Sequence, residues 1–156
     1  MCSSEQDNKV CPVDTIARGN AAEAAVLQAF AGAGVSVLIP FGSGLSFDLG
    51  AVMPDGAVLR VQVKCGGVRN RCVVFNAAST DHGRGPLDYR GRADVLAVYV
   101  AALSRVFVVP VDDCPVCTGL LRLDPPRNNQ RRGVRFADDY AFDRWLESYN
   151  SSRQVA

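Results

Sequence analysis

The sequence predicts an α/β fold of one domain, in which an N-terminal helix is followed by a central mixed β-sheet flanked by helices. The chain has 156 residues, the size of a single domain, and 48% of them are hydrophobic, which is enough for one core. A pattern with helical spacing comes first, and short apolar runs separated by turn residues follow it. A second amphipathic pattern closes the chain, which completes the order helix, sheet, helix.

The first helix is predicted from Asp14 or Thr15 to about Gly32. Pro12 precedes the capping residue, and Gly32 or Gly34 can end the helix. The apolar positions of this segment recur at roughly helical spacing, namely Ile16, Ala22, Val26, Leu27 and Phe30. Residues 1–12 are polar and irregular, so we expect a flexible N-terminus, a domain over residues 13–150 and a disordered tail at 151–156.

Three strands should follow the helix, with the turn Pro54-Asp55-Gly56 between the second and the third. Their sequences are VSVLIP, FDLGAVM and AVLRVQVK. Residues 66–93 are rich in Gly, Arg and Asn and predict a long irregular connection around one apolar run, CVVFNA, which could be a fourth strand.

The second half of the chain predicts two central strands, ADVLAVYVAA and RVFVVPV, because both are nearly continuous apolar runs. A tight turn at Leu103-Ser104-Arg105 should join them. GLLRL reads as a short edge strand, DPPRNNQRRGVRF as an open basic loop and ADDYAFDRWLESY as the closing helix, on which Trp145 and Tyr149 should serve packing.

The composition excludes few partners. No stretch approaches the roughly 18 apolar residues of a membrane span, and the first residues lack the layout of a signal peptide, so we expect a cytoplasmic protein without a membrane partner. The net charge of +1 is compatible with a basic face for nucleic acid. Only Lys9 and Lys64 among the 17 basic residues are lysine; the arginine forks suit phosphate contacts, although a GC-rich coding sequence would give the same bias.

The six cysteines are expected to be free thiols, as is usual in a cytoplasmic chain. Cys114 and Cys117, in CPVC, have the spacing of half a zinc site, but a matching second pair is missing and His82 alone cannot complete it. A zinc site at CPVC therefore remains an alternative to free thiols.

Three polar residues interrupt the hairpin SFDLGAVMPDGAVLRVQVK. A turn at Asp55-Gly56 places Asp48 opposite residues 62–64, and strand alternation sends Gln62 and Lys64 to one face. Burying a carboxylate and an ammonium on a sheet costs several kcal/mol unless they are paired or hold a ligand. The sequence therefore predicts either a functional site or a simple Asp48–Lys64 ion pair at the end of a strand.

The combination of Glu23 in the leading helix, FDLG with Asp48, and VQVK with Gln62 and Lys64 resembles the PD-(D/E)XK nucleases. It is similar in particular to the small bacterial homing-endonuclease-like branch that carries QxK in place of (D/E)xK. The segments that look like recurrent blocks of that branch, in the same order, are PFGSGLSFDLG, DYRGRADVLAVYV, VFVVPV and LRLDPPRNNQ...RFADDY. The resemblance covers roughly residues 15–142 and implies a restriction-endonuclease-like core.

What the resemblance implies is a homing-endonuclease-like DNA endonuclease that uses Mg²⁺, for which Mn²⁺ can substitute. Asp48 would be the main metal ligand, with the Gln62 amide, the main-chain carbonyl of Val63 and the Glu23 carboxylate beside it. Lys64 would orient or activate the attacking water and balance charge on the phosphate. The chain departs from the family pattern at Phe47, which replaces a proline, and at Gln62, which carries no charge.

The partners implied are double-stranded DNA and further copies of the chain, as a homo-oligomer (dimer or tetramer), because one small site cuts one strand. Arginines in the irregular segments are candidates for phosphate contacts, namely Arg69, Arg71, Arg84, Arg90, Arg92, Arg127, Arg131, Arg132 and Arg135. The alternatives are a structure-selective nuclease of the junction-resolvase kind and a DNA-binding module without catalysis.

Overall fold

The computed structural model of the chain describes residues 14–42, 44–81, 85–125 and 133–153. Its helices and strands in chain order are α1 Thr15–Gly32, β1 Ser36–Leu38, β2 Leu49–Val52, β3 Val58–Arg69, β4 Cys72–Asn76, β5 Ser79–Asp81, β6 Gly85–Leu87, β7 Val95–Val100, β8 Arg105–Pro110, β9 Thr118–Arg122 and α2 Phe142–Arg153. Short 3₁₀ helices cover Ala101–Leu103, Val111–Asp113 and Ala137–Tyr140. Within these described ranges, no helix has the length and apolar character needed to cross a membrane.

The leading helix has the predicted bounds. The Asp14 carboxylate accepts a hydrogen bond of 3.0 Å from the backbone N–H of Ile16 and so caps the first turn. Gly34, with a φ of +78°, ends the helix by turning the chain into β1. Ala22, Val26 and Phe30 are fully buried and define the face that packs on the sheet.

The main sheet has seven strands and is mixed, as predicted, but β8 pairs with β7 alone among the described strands, so it is an edge strand and not the central strand that its apolar sequence predicts. β3 lies at its centre and pairs in parallel with β7, while the remaining pairings of the sheet are antiparallel. β1 and β2 extend the sheet from the first part of β3, and β4 and β9 extend it from the last part. β9 ends that path, so the prediction of GLLRL as an edge strand is confirmed.

The prediction that an irregular segment begins at residue 66 is wrong, because β3 continues to Arg69. The two glycines that suggested a break are part of the strand. A Cβ on Gly66 would lie 2.7 Å from Cγ1 of Val98 on the neighbouring β7, so this position requires glycine for a close approach of side chains. The strand then enters β4 through Asn70 and Arg71, which both have positive φ, as a two-residue hairpin turn requires.

The helices lie on one face of the sheet, and loops and 3₁₀ helices cover the other. On the first face, Phe30 of α1 packs edge-on against Phe142 of α2 at 5.0 Å between ring centroids and against Trp145 at 6.0 Å. On the second face a separate core forms around Leu96, Phe107 and other buried side chains. Val61 and Val63 belong to the first core, which leaves the alternate positions Gln62 and Lys64 for the second face.

The closing helix extends four residues further than predicted, from Tyr149 to Arg153. α2 continues to Arg153, whose guanidinium forms a 3.1 Å salt bridge with Asp55 and lies 5.3 Å from the Tyr149 ring. These contacts and the Trp145 packing stabilise the last turn, so residues 151–153 are helical and do not belong to a disordered tail.

Candidate functional site

A gap beside the middle of β3 positions the candidate site. β7 pairs with residues 61–66 of β3 and therefore occupies one edge of that strand. β2 pairs with residues 58–61 and β4 with residues 66–69, and because each overlaps the stretch paired with β7, both must lie along the opposite edge. Residues 62–65 lie between the ends of β2 and β4; we call this opening the strand fork.

Asp48 stands at the mouth of the strand fork, just before β2. Its backbone N–H donates to the carbonyl oxygen of Val61 at 2.9 Å, which holds the residue in register with β3. One carboxylate oxygen, Oδ2, accepts from the backbone N–H of Val63 at 2.7 Å and from the Gln62 side-chain amide at 2.5 Å. The same Gln62 nitrogen, Nε2, lies 3.3 Å from the carbonyl oxygen of Val63. A carboxylate oxygen and a main-chain carbonyl therefore converge on one electropositive group.

Two acids lie close enough at this site to influence each other. Burial raises the pKa of Asp48 above its ordinary value, while the Val63 N–H, the Lys64 charge and the Gln62 amide lower it by less. Desolvation and then the Asp48 charge raise the pKa of Glu23, which projects from α1. The fold thus brings two carboxyl groups together in a setting that opposes their charge, which is what a cation would relieve.

Lys64 reaches a different set of contacts from those of Asp48. Its ammonium nitrogen donates to the hydroxyl of Tyr89 at 2.8 Å and to the carbonyl oxygen of Ala78 at 3.2 Å. Among the salt bridges of the described ranges there is none between Asp48 and Lys64. The alternative of a simple ion pair at a strand end therefore does not describe this pair of residues.

An ion pair that the sequence did not reveal fixes the loop that carries Tyr89. The Arg60 guanidinium of β3 donates to both carboxylate oxygens of Asp94, at 2.8 and 3.1 Å, and to the carbonyl oxygen of Gly91 at 2.8 Å. The backbone N–H of Arg60 also donates to Asp94 at 2.7 Å. Hydrogen bonds from Arg60 hold the pKa of the Asp94 carboxyl below its ordinary value. We call this contact the Arg60–Asp94 brace.

Asp94→Asn should weaken the brace in a way that depends on pH. A carboxyl group with a lowered pKa stabilises the fold above its unfolded pKa and loses that contribution as the pH falls through the folded pKa. We therefore expect the variant to be about 1.5 kcal/mol less stable than the parent at pH 7, the size of one hydrogen bond to a charged group, and the difference to shrink below about pH 4. Urea unfolding of both proteins at pH 7, 5 and 3 measures it.

The matched control for that experiment is Asp112→Asn, which makes the same change at an exposed position of the 3₁₀ helix Val111–Asp113. Its stability should follow that of the parent at each pH. A constant difference between the parent and Asp94→Asn from pH 7 to pH 3 would contradict the assignment of the effect to the charge of Asp94.

The candidate DNA-binding arginines that lie within the described residues occupy two different places. Arg69 and Arg71 lie exposed at the β3–β4 hairpin, away from the strand fork. Arg90 and Arg92 follow Tyr89 in the chain, and the Arg92 guanidinium lies over the Tyr89 ring. The positive charges of Arg135 and Arg90 both act on Cys114, which places Arg135 on the Arg90 side of the fold. Arg84, Arg127, Arg131 and Arg132 lie outside the described residues, as does His82.

The cysteines of CPVC occupy unlike environments. Cys114 is 6% exposed within the second core, and burial raises the pKa of its thiol to about 11, which disfavours the thiolate that zinc binds. Cys117 is exposed, and its carbonyl oxygen accepts from the backbone N–H of Ala77. Over the described ranges, no three His, Cys, Asp or Glu side chains are grouped as metal ligands. The site at the strand fork has two carboxyl groups, and its other oxygens come from an amide and the main chain.

Comparisons with known proteins agree with this geometry. A family model described as PD-(D/E)XK endonuclease matches residues 13–143. Among solved structures, the chain is similar to that of a bacterial homing endonuclease, I-Ssp6803I, with a TM-score of 0.70 and 26% sequence identity. That match covers 92% of this chain and 99% of the other. The comparison with curated proteins gave no significant match.

Proposed function

This chain belongs to the PD-(D/E)XK endonuclease family and is therefore a nuclease, and from that premise we propose that it hydrolyses phosphodiester bonds of double-stranded DNA with a divalent cation at the strand fork. The resemblance to a bacterial homing endonuclease, at the level of fold and sequence, supports a substrate of the same kind. Mg²⁺ is the proposed ion, and Mn²⁺ should replace it.

One observation carries this proposal, namely that Asp48 Oδ2 and the Val63 carbonyl oxygen both face the nitrogen of the Gln62 amide. Within the described residues, the Gln62 amide nitrogen lies within hydrogen-bonding distance of both oxygens. Rotation of the amide by half a turn would present its oxygen instead, so that a carboxylate, an amide and a carbonyl offer the hard oxygens that Mg²⁺ prefers. The residues present therefore fit such an ion, with Glu23 as a further carboxylate.

The chemistry that a bound Mg²⁺ supplies is polarisation of the phosphate and a lower pKa of the attacking water. The protein contributes the rest. Asp48 is held by the backbone N–H of Val63, a donor that stays in place when the Gln62 amide turns, and the Val63 carbonyl is fixed by the core packing of its own side chain, so neither has to be reorganised during the reaction. Lys64 brings a positive charge to the same opening, where it can orient the water and stabilise charge on the phosphate.

The arginines beside the site and further copies of the chain complete the proposal. Among the described arginines we propose Arg90, Arg92 and Arg135 for contacts with backbone phosphates, since the Arg92 guanidinium lies 5.2 Å from the ring of Tyr89 and the charges of Arg135 and Arg90 both act on Cys114. We propose a homo-oligomer because one site cuts one strand, and exposed apolar side chains at the β1 end of the sheet offer a contact between copies. These are Leu38, Ile39, Phe41, Leu45 and Val58.

Cleavage of plasmid and host-genome DNA in Mg²⁺, Mn²⁺ and EDTA tests the proposed function. We expect discrete cuts in both metals and intact DNA in EDTA. A four-way junction of the same total length, run in parallel, distinguishes the two nuclease types: preferential cutting of the junction would replace homing-endonuclease-like cleavage with a structure-selective reaction. Binding without cleavage in both metals would instead indicate a DNA-binding module.

Gln62→Glu should make the stability of the chain depend on metal. The substitution replaces a donor by a carboxylate at the position now 2.5 Å from Asp48 Oδ2, so like charges face each other. In EDTA at pH 7 we expect the free energy of unfolding to fall by about 2 kcal/mol. Partial protonation of the two carboxyl groups and relaxation of their side chains limit this loss. Mg²⁺ should restore the stability and bind more tightly than in the parent, because the site gains a charge. Thermal unfolding against metal concentration measures both effects.

Gln28→Glu is the control for this change, since it adds the same charge at an exposed position of α1. It should show the metal dependence of the parent. If Gln62→Glu melts at the parent's temperature in EDTA and gains nothing from Mg²⁺, the proposed metal site is wrong.

A further inference from the structure

We propose that Tyr89 is a positioning residue, which accepts a hydrogen bond from the Lys64 ammonium and holds that ammonium at the strand fork. The inference rests on the proposed function, because it gives a nuclease role to Lys64. Tyr89 lies outside β3 and outside the motif that carries Asp48, Gln62 and Lys64, and its side chain is 5% exposed.

The contacts of Lys64 explain why a tyrosine suits this task. The ammonium nitrogen is 2.8 Å from the Tyr89 hydroxyl and 3.2 Å from the Ala78 carbonyl oxygen, and both acceptors are uncharged. A carboxylate in either place would fix the ammonium but would also neutralise it. Two neutral oxygens fix its position and leave the whole positive charge for the phosphate.

The position of Tyr89 is fixed by contacts of its backbone and its ring. The backbone N–H groups of Arg92 and Ala93 both donate to the Tyr89 carbonyl oxygen at 2.9 Å, and the Arg92 guanidinium lies 5.2 Å from the ring centroid. The Arg60–Asp94 brace then joins the end of this loop to β3, the strand that carries Lys64. The donor and its acceptor are thus anchored to the same strand, one directly and the other through the brace.

The hydroxyl is the part of Tyr89 that matters for this role. The Lys64 nitrogen is 4.6 Å from the ring centroid but 2.8 Å from the hydroxyl oxygen, so the hydrogen bond is the closer of the two contacts. Tyr89→Phe removes that acceptor and keeps the ring, its core packing and the Arg92 contact. Tyr99→Phe is the matched control, because Tyr99 lies on β7 beside the same part of β3 and packs against the other core.

Cleavage kinetics give the first test. Tyr89→Phe should lower the single-turnover cleavage rate in Mg²⁺ about tenfold, as expected for a lost hydrogen bond to a charged group, while DNA affinity in EDTA stays near that of the parent and the melting temperature falls only by the few degrees that one lost hydrogen bond accounts for. Tyr99→Phe should cleave at the parent rate. In a Lys64→Met background, Tyr89→Phe should cause no further loss, because the group that it positions is gone. A parent-like rate, or an equal loss in both backgrounds, would overturn the inference.

Lysine reactivity gives a second test that does not depend on cleavage. Lys9 and Lys64 are the only lysines, so acetylation followed by mass spectrometry reports Lys64 with Lys9 as an internal reference. Tyr89→Phe should raise the rate of acetylation at Lys64 relative to that at Lys9 about threefold or more, because the Lys64 amine loses a hydrogen-bond acceptor that holds it in place. Tyr99→Phe should leave the ratio unchanged, and an unchanged ratio in Tyr89→Phe would contradict the positioning contact.

The two tests separate this inference from the proposed function. If Asp48→Asn cleaves DNA like the parent, the proposed site fails, while the Lys64 reactivity still shows whether Tyr89 holds the ammonium. If Asp48→Asn and Lys64→Met lose cleavage but Tyr89→Phe changes neither rate nor reactivity, the site stands and the role of Tyr89 is wrong.

Discussion

Asp48→Asn should lower the cleavage rate in Mg²⁺ about a hundredfold or more and leave the fold at least as stable as that of the parent. The loss of rate follows from the loss of the main proposed ligand. The stability follows from the hydrogen bonds: both donors, the Gln62 amide and the Val63 N–H, bind the same carboxylate oxygen, Oδ2, and the single carbonyl oxygen of an asparagine can accept from both.

The raised pKa of Asp48 supports the same expectation. A carboxyl group whose pKa is raised by folding reduces stability as the pH rises from its unfolded pKa through its folded pKa, so at pH 7 the charged group is a cost to the fold. Removing the charge removes that cost. An ion pair with Lys64 would predict the reverse, a loss of about 3 kcal/mol from an unpaired ammonium. DNA binding in EDTA should be equal or tighter, because the carboxylate no longer repels the phosphate.

Melting temperature, DNA affinity in EDTA and cleavage rate in Mg²⁺ should be measured on one preparation, with Asp112→Asn as the control for the substitution itself. Cleavage that persists in Asp48→Asn would remove this residue from the site. If Asp48→Asn does not fold, the role of Asp48 is structural. If it folds normally and loses cleavage, the result agrees with the proposed metal site.

Lys64→Met should also lower the cleavage rate about a hundredfold, since it removes the positive charge at the strand fork and keeps the length of the side chain. Two hydrogen bonds are lost, to Ala78 and Tyr89, so a modest decrease of about 1 to 2 kcal/mol in stability should accompany it. The Lys64 charge is among the factors that lower the pKa of Asp48, so metal binding by the variant should require a higher pH.

Lys64→Arg is the informative partner of this variant, because it keeps the charge and changes the shape. We expect its rate to lie between those of the parent and Lys64→Met, as an electrostatic role predicts. Parent-like cleavage by Lys64→Met would show that the ammonium is dispensable. Titrating Mg²⁺ at several pH values then separates an effect on metal binding from an effect on the chemical step.

The alternation of residues along β3 made much of the fold and of the site predictable from the sequence. The turn at Asp55-Gly56 sets an approximate register that places Asp48 opposite residues 62–64, and the structure pairs Leu49 with Val61 and so brings Asp48 to Gln62. The cap at Asp14 and the apolar spacing of α1 likewise gave the correct helix. These features are local in the sequence, and a local pattern is enough to determine them.

Features that depend on distant residues could not be predicted in the same way. Gly66 looked like a break because its need for glycine comes from Val98, 32 residues later and on a strand whose pairing is known only from the fold. Tyr89 lies in a segment that the composition predicts as irregular, and the Arg60–Asp94 brace joins the end of that segment to β3. Nothing in the sequence spacing of these residues indicates the contact between Tyr89 and Lys64. The roles of these residues are determined by contacts between elements far apart in the chain, and a local sequence pattern does not show such contacts.

The Val63 carbonyl has a consequence for mutational surveys of this protein. Its side chain is 8% exposed and packs in the first core, while its carbonyl oxygen faces Gln62 at the strand fork. No substitution deletes a main-chain oxygen, so an alanine scan would classify Val63 by its packing alone and overlook the proposed ligand. Slightly larger or smaller side chains at this position should instead move the oxygen by altering the core, so that metal affinity and thermal stability change together at a residue whose side chain never touches the ion.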